Sequence, residues 1–183
     1  MSGSSLWGRA ACLRLAAGLG ISILACGAPL KAQSDTDPPG SPPDRAFALE
    51  ARSGGIAEVK LGRLAQQKGQ SEKVKAFGQK MVMDHGKAGD ELKQAAQKSG
   101  IRLPAGMSRQ DQEAYERLSK LEGSAFDQAY AQAMVKDHEN DVAAFEREVV
   151  GGQDESIKGF ARQVLPTLKE HLKLAREMAR AVS

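Results

Sequence analysis

The sequence has little of the chemistry that stabilises many small domains covalently or through a sheet. Cysteine occurs only at Cys12 and Cys26, both before the segment from residue 44 that we expect to fold. That segment therefore has no disulfide, cysteine nucleophile or thiolate metal ligand. Aromatic residues make up only 4% of the chain. Together with abundant Ala, Lys, Gln and Glu, this composition favours helices over a β-sheet.

A strong net charge is also missing. The formal charge is +3, and Arg9, Arg14 and Lys31 all precede the first acidic residue. Without these 3 residues, the 26 basic residues fall to 23 and equal the 23 acidic ones. This balance argues against a protein that binds nucleic acid by neutralising phosphates, so we expect no nucleic-acid partner.

The chain also has no apolar run long enough for a comfortable membrane span. Residues 15–28 (LAAGLGISILACGA) are apolar, interrupted by Gly, and follow two arginines. We expect residues 1–32 to be a secretory signal peptide, which leaves a periplasmic or secreted protein with no transmembrane span. In the alternative, residues 23–26 act as a lipobox, and Cys26 is lipidated and attaches the protein to the bacterial envelope. We favour soluble export.

The mature chain divides into a linker and one domain. Residues 33–43 (QSDTDPPGSPP) are polar and Pro-rich, which is typical of an extended, disordered spacer. Residues 44–183 are long enough to bury a core of their own.

Apolar residues from position 44 onward recur every three or four positions, which indicates amphipathic helices. Ser71 is a suitable N-cap, Gly100 and Gly151-Gly152 are stop signals, and Pro166 should kink the last helix. The predicted long helices span residues 44–70, 71–99, 124–150 and 154–181, with a short helix over 108–121.

The connection between the second and third long helices is much longer than the other two. The short helix within it could carry the chain back along the others. We therefore predict an all-α four-helix bundle with up-down-down-up topology.

The three histidines of the chain are the most informative residues. His85, His138 and His171 each lie on the predicted buried face of a different long helix. Counting from the helix ends places them and Glu58 in the middle third of the bundle, within about 10 Å of one another. Three imidazoles and a carboxylate suit Zn, Mn, Fe or Cu, so these four residues are candidate metal ligands.

Two methionines share the predicted buried faces of the histidines and are further candidate ligands. Met81 and Met134 stand four residues before His85 and His138, and residues 81–85 match residues 134–138 at four of five positions. A thioether beside imidazoles would favour copper. We interpret both methionines instead as core residues, because Met packs well in irregular interiors.

The histidines also fit a purely structural role. Neutral buried imidazoles, each bonded to a carbonyl or carboxylate, could form a polar layer that specifies helix register. Each histidine follows an acid, namely Asp84, Asp137 and Glu170. Adjacent helical residues diverge by about 100°, so each acid should orient a histidine of a neighbouring helix or cover the seam. We favour this polar layer over metal binding, so no cofactor is required.

Other catalytic signals are missing from the sequence. It contains no Gly-rich phosphate loop, no GxSxG elbow and no HExxH motif. We therefore favour a non-enzymatic role, for example in envelope stress or assembly, over a metal-dependent redox function.

Three segments around the histidines resemble a known family. Residues 54–92, 123–145 and 160–175 resemble the exported bacterial family called domain of unknown function 4142. The resemblance implies a ferritin-like helical bundle, but no reaction, since the family's biochemical function is not established. Ferritin-like di-iron proteins carry Glu three residues before the histidine. Here Val82, Val135 and Leu168 occupy those positions, so a di-iron centre is not expected.

Overall fold

The computed structural model describes residues 41–183. The expected signal peptide, Cys12, Cys26 and the linker up to residue 40 lie outside these described residues. Within residues 41–183 all regular structure is helical, and no helix is both long and apolar enough to cross a bilayer. The prediction of an all-α domain with a short helix in the long connection is confirmed. The helices are α1 Pro42–Lys68, α2 Glu72–Lys98, α3 Arg109–Ser119, α4 Gly123–Gly151 and α5 Glu155–Val182.

The helix starts follow the capping signals in the sequence. Ser71 Oγ accepts a hydrogen bond from Lys73 N at 3.3 Å at the start of α2. Ser108 Oγ accepts from Asp111 N at 3.1 Å and donates to the Asp111 carboxylate at 2.8 Å at the start of α3. These bonds satisfy amide groups that have no partner within the first turn of a helix. α1 begins at Pro42, two residues earlier than predicted, because proline is tolerated in the first helical turn.

The end of α2 shows why Gly100 stops the helix. Gly100 has a φ of 64°, a conformation that favours glycine. Gly100 N donates to Gln97 O at 3.3 Å, and Ile101 N donates to Ala96 O at 2.8 Å. This pair of bonds is a Schellman motif, which uses carbonyls left unpaired at the helix end.

Two apolar clusters fill the bundle, and a polar layer separates them. Phe77, Met81, Phe126, Tyr130 and Met134 belong to the first cluster. The second cluster includes Phe47, Leu92, Phe145, Phe160 and Leu168. On α2, α4 and α5 the histidines fall between the members of the two clusters. The interior is thus divided at the level of the histidines.

The helices pack mainly as two pairs, α1 with α2 and α4 with α5, and α2 also packs against α5. Glycines bring the first pair close together. A Cβ atom on Gly62 would lie 2.5 Å from Gly78 O, and one on Gly78 would lie 2.6 Å from Gly62 O. These glycines allow the two backbones to touch, one turn from Glu58.

Buried aspartates tie the two pairs together at their turns. Asp127, in the first turns of α4, accepts hydrogen bonds from Gln70 N at 3.0 Å and Ser71 N at 2.7 Å. At the other end, Asp44 of α1 accepts from Gln153 N at 2.9 Å in the turn between α4 and α5. These bonds satisfy turn amides and hold the helix ends in register.

Pro166 lies inside α5, which continues uninterrupted to Val182. The Pro166 side chain is exposed to solvent.

Asp44 and Glu148 form a carboxyl pair at the end of the bundle where α4 meets α1. Burial opposes ionisation of Asp44, but hydrogen bonds from Ser41, Gln153 and Asp154 outweigh it and lower the pKa. Burial and the neighbouring Asp44 raise the pKa of Glu148 from 4.5 to about 7. Below about pH 7 the folded protein therefore keeps a proton on Glu148, which can donate to Asp44.

Replacing Glu148 with Gln is expected to stabilise the protein near pH 8 by about 1 kcal/mol and to change little near pH 5. The unfolded residue loses its proton near pH 4.5 and the folded one near pH 7, so the folded state binds more protons in this window. Wild-type stability from this group therefore falls as the pH rises. The Gln amide donates to Asp44 at any pH. Urea unfolding at both pH values gives the difference, and an equal difference at both would contradict this assignment.

Candidate metal centre

The three histidine rings lie together in the centre of the bundle, at the common level that the residue counts predicted. The ring centroids of His85 and His138 are 5.7 Å apart, and those of His138 and His171 are 5.3 Å apart. The rings of His85 and His171 are 5.2 Å apart. All three side chains are buried, and His138 and His171 are fully buried. One helix supplies each ring, so the cluster depends on the packing of α2, α4 and α5.

Each ring has an acceptor oxygen on its outer side. His85 Nδ1 lies 2.6 Å from Glu58 Oε2, a separation that requires a proton between the two atoms. His138 Nδ1 lies 2.9 Å from the carbonyl oxygen of Met134, and His171 Nε2 lies 2.8 Å from Asp84 Oδ2. The Met134 carbonyl only accepts, and so does the Asp84 carboxylate, whose pKa is lowered despite burial by its hydrogen bonds from His171 and Lys80. His138 Nδ1 and His171 Nε2 therefore carry the hydrogen. His85 Nδ1 carries it when Glu58 is ionised. In a neutral ring the second nitrogen must then carry a lone pair.

The second nitrogen of each ring has no hydrogen-bond partner. These buried atoms are His85 Nε2, His138 Nε2 and His171 Nδ1. The three rings offer ligand atoms that all lie within 4.8 Å of one another. An unpaired polar atom in a protein interior costs about 1 to 3 kcal/mol, so three together call for an explanation.

Burial keeps all three rings neutral at physiological pH. Burial lowers the pKa of His85 to about 4 and that of His171 to about 4. It lowers the pKa of His138 to about 3, with the other two rings adding to the effect. The rings therefore stay unprotonated well below neutral pH, and their lone pairs stay available to a ligand.

One buried carboxyl group, that of Glu58, and two half-buried ones, those of Asp137 and Asp141, lie behind the histidines on the side of α1 and α4. Glu58 is 2% exposed, and burial and Asp137 raise its pKa well above 4.5. Burial raises the pKa of Asp137 to about 6, and burial and Glu58 raise that of Asp141. Glu58, Asp137 and His138 form a second group whose ligand atoms lie within 4.8 Å of one another. Glu58 Oε1 is 3.4 Å from His138 Nε2 without forming a hydrogen bond.

The side of the cluster towards the turn between α1 and α2 is filled by apolar residues. The Phe77 ring packs edge-on against His138 at 6.0 Å and against His171 at 6.4 Å. Met81 and Met134 are buried in the adjoining apolar cluster with Tyr130. Burial also raises the pKa of the Tyr130 hydroxyl, which has no hydrogen-bond partner.

The candidate residues from the sequence take different positions. His85, His138 and His171 share one group of ligand atoms, whereas Glu58 lies behind His85 on its outer side. Glu50, another acid of the same helix, is exposed. Pro166 has no amide hydrogen for the carbonyl of Arg162, and the histidines bond Glu58, Met134 and Asp84 instead of that carbonyl.

The sequence pattern did not identify every acid around the histidines. Asp84 bonds a histidine of a neighbouring helix, one of the two roles that the sequence left open for it. Asp141 was missed altogether. The i, i+4 spacing of Asp137 and Asp141 on the helix of His138 was the available signal, because it places both on one face.

Fold and site together define an all-helical bundle with a buried three-histidine cluster. The chain belongs to the family Domain of unknown function (DUF4142), whose sequence profile matches residues 29–178. The resemblance noted in the sequence is thereby confirmed.

Two solved structures share the fold at 14% sequence identity. A DUF305 fragment from Deinococcus radiodurans has a TM-score of 0.67 and covers 78% of this chain and 99% of its own. A DUF305 protein from Streptomyces coelicolor, described as a candidate secreted protein, has a TM-score of 0.64 and covers 76% of this chain and 93% of its own. No curated protein shows significant similarity to the chain.

Proposed function

We propose that this protein binds a transition-metal ion through His85, His138 and His171. The observation that carries the proposal is the convergence of three buried ring nitrogens without partners, in rings whose other nitrogen faces a carbonyl or carboxyl oxygen. Metal-binding histidines usually have such a carboxylate or carbonyl on the second nitrogen. A metal ion would satisfy all three atoms at once.

Charge supports a cation over a neutral layer alone. The groups that raise the pKa of Glu58 and Asp141 include other carboxylates, so the buried acids oppose one another's ionisation. A divalent ion a few ångströms away would offset this repulsion. The carboxylates would in turn balance the charge of an ion whose three ligands are neutral.

The ligand types narrow the metal to those that imidazole prefers, such as Zn²⁺, Cu²⁺, Fe²⁺ or Ni²⁺. Mn²⁺ would need the carboxylates of Glu58 or Asp137 as further ligands. Met81 and Met134 lie in the apolar cluster beside the rings, which supports their interpretation as core residues. The ion would supply a centre that polarises a bound ligand or stabilises the fold.

The test is direct titration of the metal-depleted full chain with Co²⁺, followed by visible spectroscopy. We expect one Co²⁺ per chain, with the intense visible bands of a low-coordinate site rich in nitrogen. Zn²⁺ should displace it and remove the bands. A chain that takes up no ion under these conditions would rule out the proposal.

The polar layer remains a second candidate function. It is favoured by the fact that each ring already has one partner, namely Glu58, Met134 or Asp84. In this case the protein is a non-enzymatic structural or stress-related component of the envelope. A purely structural polar layer predicts that histidine variants change the stability of the protein and no metal binding.

We infer that the helices run up-down-down-up, as in ferritin-like bundles. In support, Asp127 bonds the turn before α2, so α2 and α4 begin at the same end. Asp44 and Ser99 both bond the turn between α4 and α5, which places the start of α1 and the end of α2 at the other end.

We also propose export, with residues 1–32 as the signal peptide and residues 33–43 as a linker. The Streptomyces coelicolor neighbour, described as a candidate secreted protein, supports this location weakly. Intact mass of the processed chain separates the two routes. Cleavage after Ala32 fits soluble export to the periplasm or medium, and an acylated Cys26 fits envelope attachment.

A further inference from the structure

A cleft between α2 and α5 reaches the histidine cluster from the surface of the bundle. It has a volume of about 140 Å³, and its lining includes His85, His171 and Leu168. Lys87 and Gln163, which are exposed, stand at its rim. The cleft thus joins solvent to the rings of two of the three histidines.

Two polar contacts across the seam bound the cleft along the helices. At one end His171 Nε2 donates to Asp84 Oδ2 at 2.8 Å, and at the other Gln163 Nε2 donates to Glu91 Oε1 at 3.0 Å. Along α2, the distance from Asp84 to Glu91 is roughly 10 Å at the rise of a helix.

Small side chains line the middle of this opening. Ala88 follows Asp84 by one turn, and Thr167 precedes His171 by one turn, so the two belong to the central part of the lining. Both are half-buried. A larger side chain at either position would fill the cleft.

Packing around the histidines is therefore asymmetric. On the side of Phe77 the rings meet a filled apolar core. On the opposite side lie the cleft and a smaller cavity of about 30 Å³, which Glu58 and His85 help to line. Room beside the cluster exists on the cleft side.

We propose that an ion held by the three histidines keeps one coordination position open to this cleft, where it binds an exchangeable small donor molecule. This inference rests on the proposed metal binding. The three histidines form one group of ligand atoms, and three protein ligands leave a position for water or substrate. Glu58 Oε2 is engaged with the outer nitrogen of His85, and Glu58 Oε1 lies 3.4 Å from His138 Nε2. Glu58 does not line the cleft, so it leaves a position on the cleft side open.

The size of the cleft defines the class of ligand. Water takes about 30 Å³ per molecule in the liquid, so the cleft holds a few waters or one small anion. The lining has two acidic residues, Asp84 and Glu91, and one basic residue, Lys87, so the attraction for an anion would come from the bound ion rather than from the lining. The ligand is thus water or a small monodentate anion that replaces it.

Azide binding to the Co²⁺-loaded full chain tests this. We expect a saturable change in the visible spectrum as azide replaces water on the ion. Thr167→Phe should weaken or slow azide binding about tenfold or more while Co²⁺ still binds one per chain. Thr167→Val, which keeps the size of the side chain, should leave azide binding as in the wild type. Ala88→Leu fills the cleft from α2 and replaces Thr167→Phe if that variant does not fold.

The outcomes separate the two proposals. Stoichiometric Co²⁺ without any azide response overturns the open position but leaves metal binding intact. An azide response that neither cleft variant reduces overturns access through the cleft. Failure to bind Co²⁺ overturns both proposals together.

Discussion

Replacing any one of His85, His138 and His171 with Ala is expected to lower the affinity for Zn²⁺ about a hundredfold or more. Structural zinc sites bind with about 10 to 16 kcal/mol, or about 3 kcal/mol for each of four ligands. Loss of one ligand therefore costs more than a factor of a hundred. The three variants should resemble one another, because their free nitrogens converge on one place. Competition with a chromophoric chelator measures the affinities.

The same variants should lose the thermal effect of the metal. An ion at a hundred times its dissociation constant stabilises the folded state by about 2.7 kcal/mol, which appears as a higher midpoint of thermal unfolding. Zn²⁺ should raise this midpoint in the wild type and not in the variants.

A matched control lies one turn away from His138. Met134→Leu keeps the buried volume and the carbonyl that orients the ring, so Zn²⁺ affinity should stay unchanged. If His138→Ala does not fold, His138→Gln serves in its place. Equal Zn²⁺ affinity in the wild type and all three histidine variants would contradict the ligand assignment.

The helices and the level of the histidines could be predicted because both follow from local pattern. The three- and four-residue spacing of apolar side chains fixes which face is buried, and Ser71, Ser108 and Gly100 mark helix ends. Residue counts along a regular helix then give the height of each ring. These properties depend on residues close together in the sequence, so the sequence alone is enough to predict them.

The outer partners of the site could not be predicted, because they join positions far apart in sequence. Asp84 contacts His171, 87 residues away, through the α2–α5 seam. Asp44 bonds the backbone of Gln153, 109 residues away. Such contacts depend on how the helices rotate against one another, which the apolar pattern defines only to within part of a turn. Glu148 shows the same limit, since it is buried where an acid would be expected to face solvent.

Replacing Glu58 with Gln is expected to change stability and metal affinity in opposite directions. Glu58 is almost fully buried, and burial and Asp137 raise its pKa well above 4.5. Keeping this acid in the metal-free interior near pH 8 costs free energy, either as a buried charge or as a bound proton. Neutral Gln avoids the cost, so the metal-free variant should be more stable than the wild type by about 1 kcal/mol.

Metal affinity should fall in the same variant. A carboxylate on the outer nitrogen of a ligating imidazole fixes the ring and raises its basicity, and losing such a partner typically costs about 10 to 100-fold in affinity. The Gln side-chain oxygen can still accept from His85 Nδ1, but without the negative charge. The drop should therefore be smaller than that for loss of His85 itself.

Glu50→Gln is the matched control, because it makes the same change on the same helix at an exposed position. It should alter neither quantity appreciably. Urea unfolding with a chelator present gives the metal-free stability, and competition titration gives the Zn²⁺ affinity. A polar layer without a metal predicts a change in stability and no Zn²⁺ binding to lose. A metal centre predicts that Glu58→Gln raises the metal-free stability and lowers the Zn²⁺ affinity together. The reason is that the Glu58 carboxylate destabilises the metal-free interior and stabilises a bound cation.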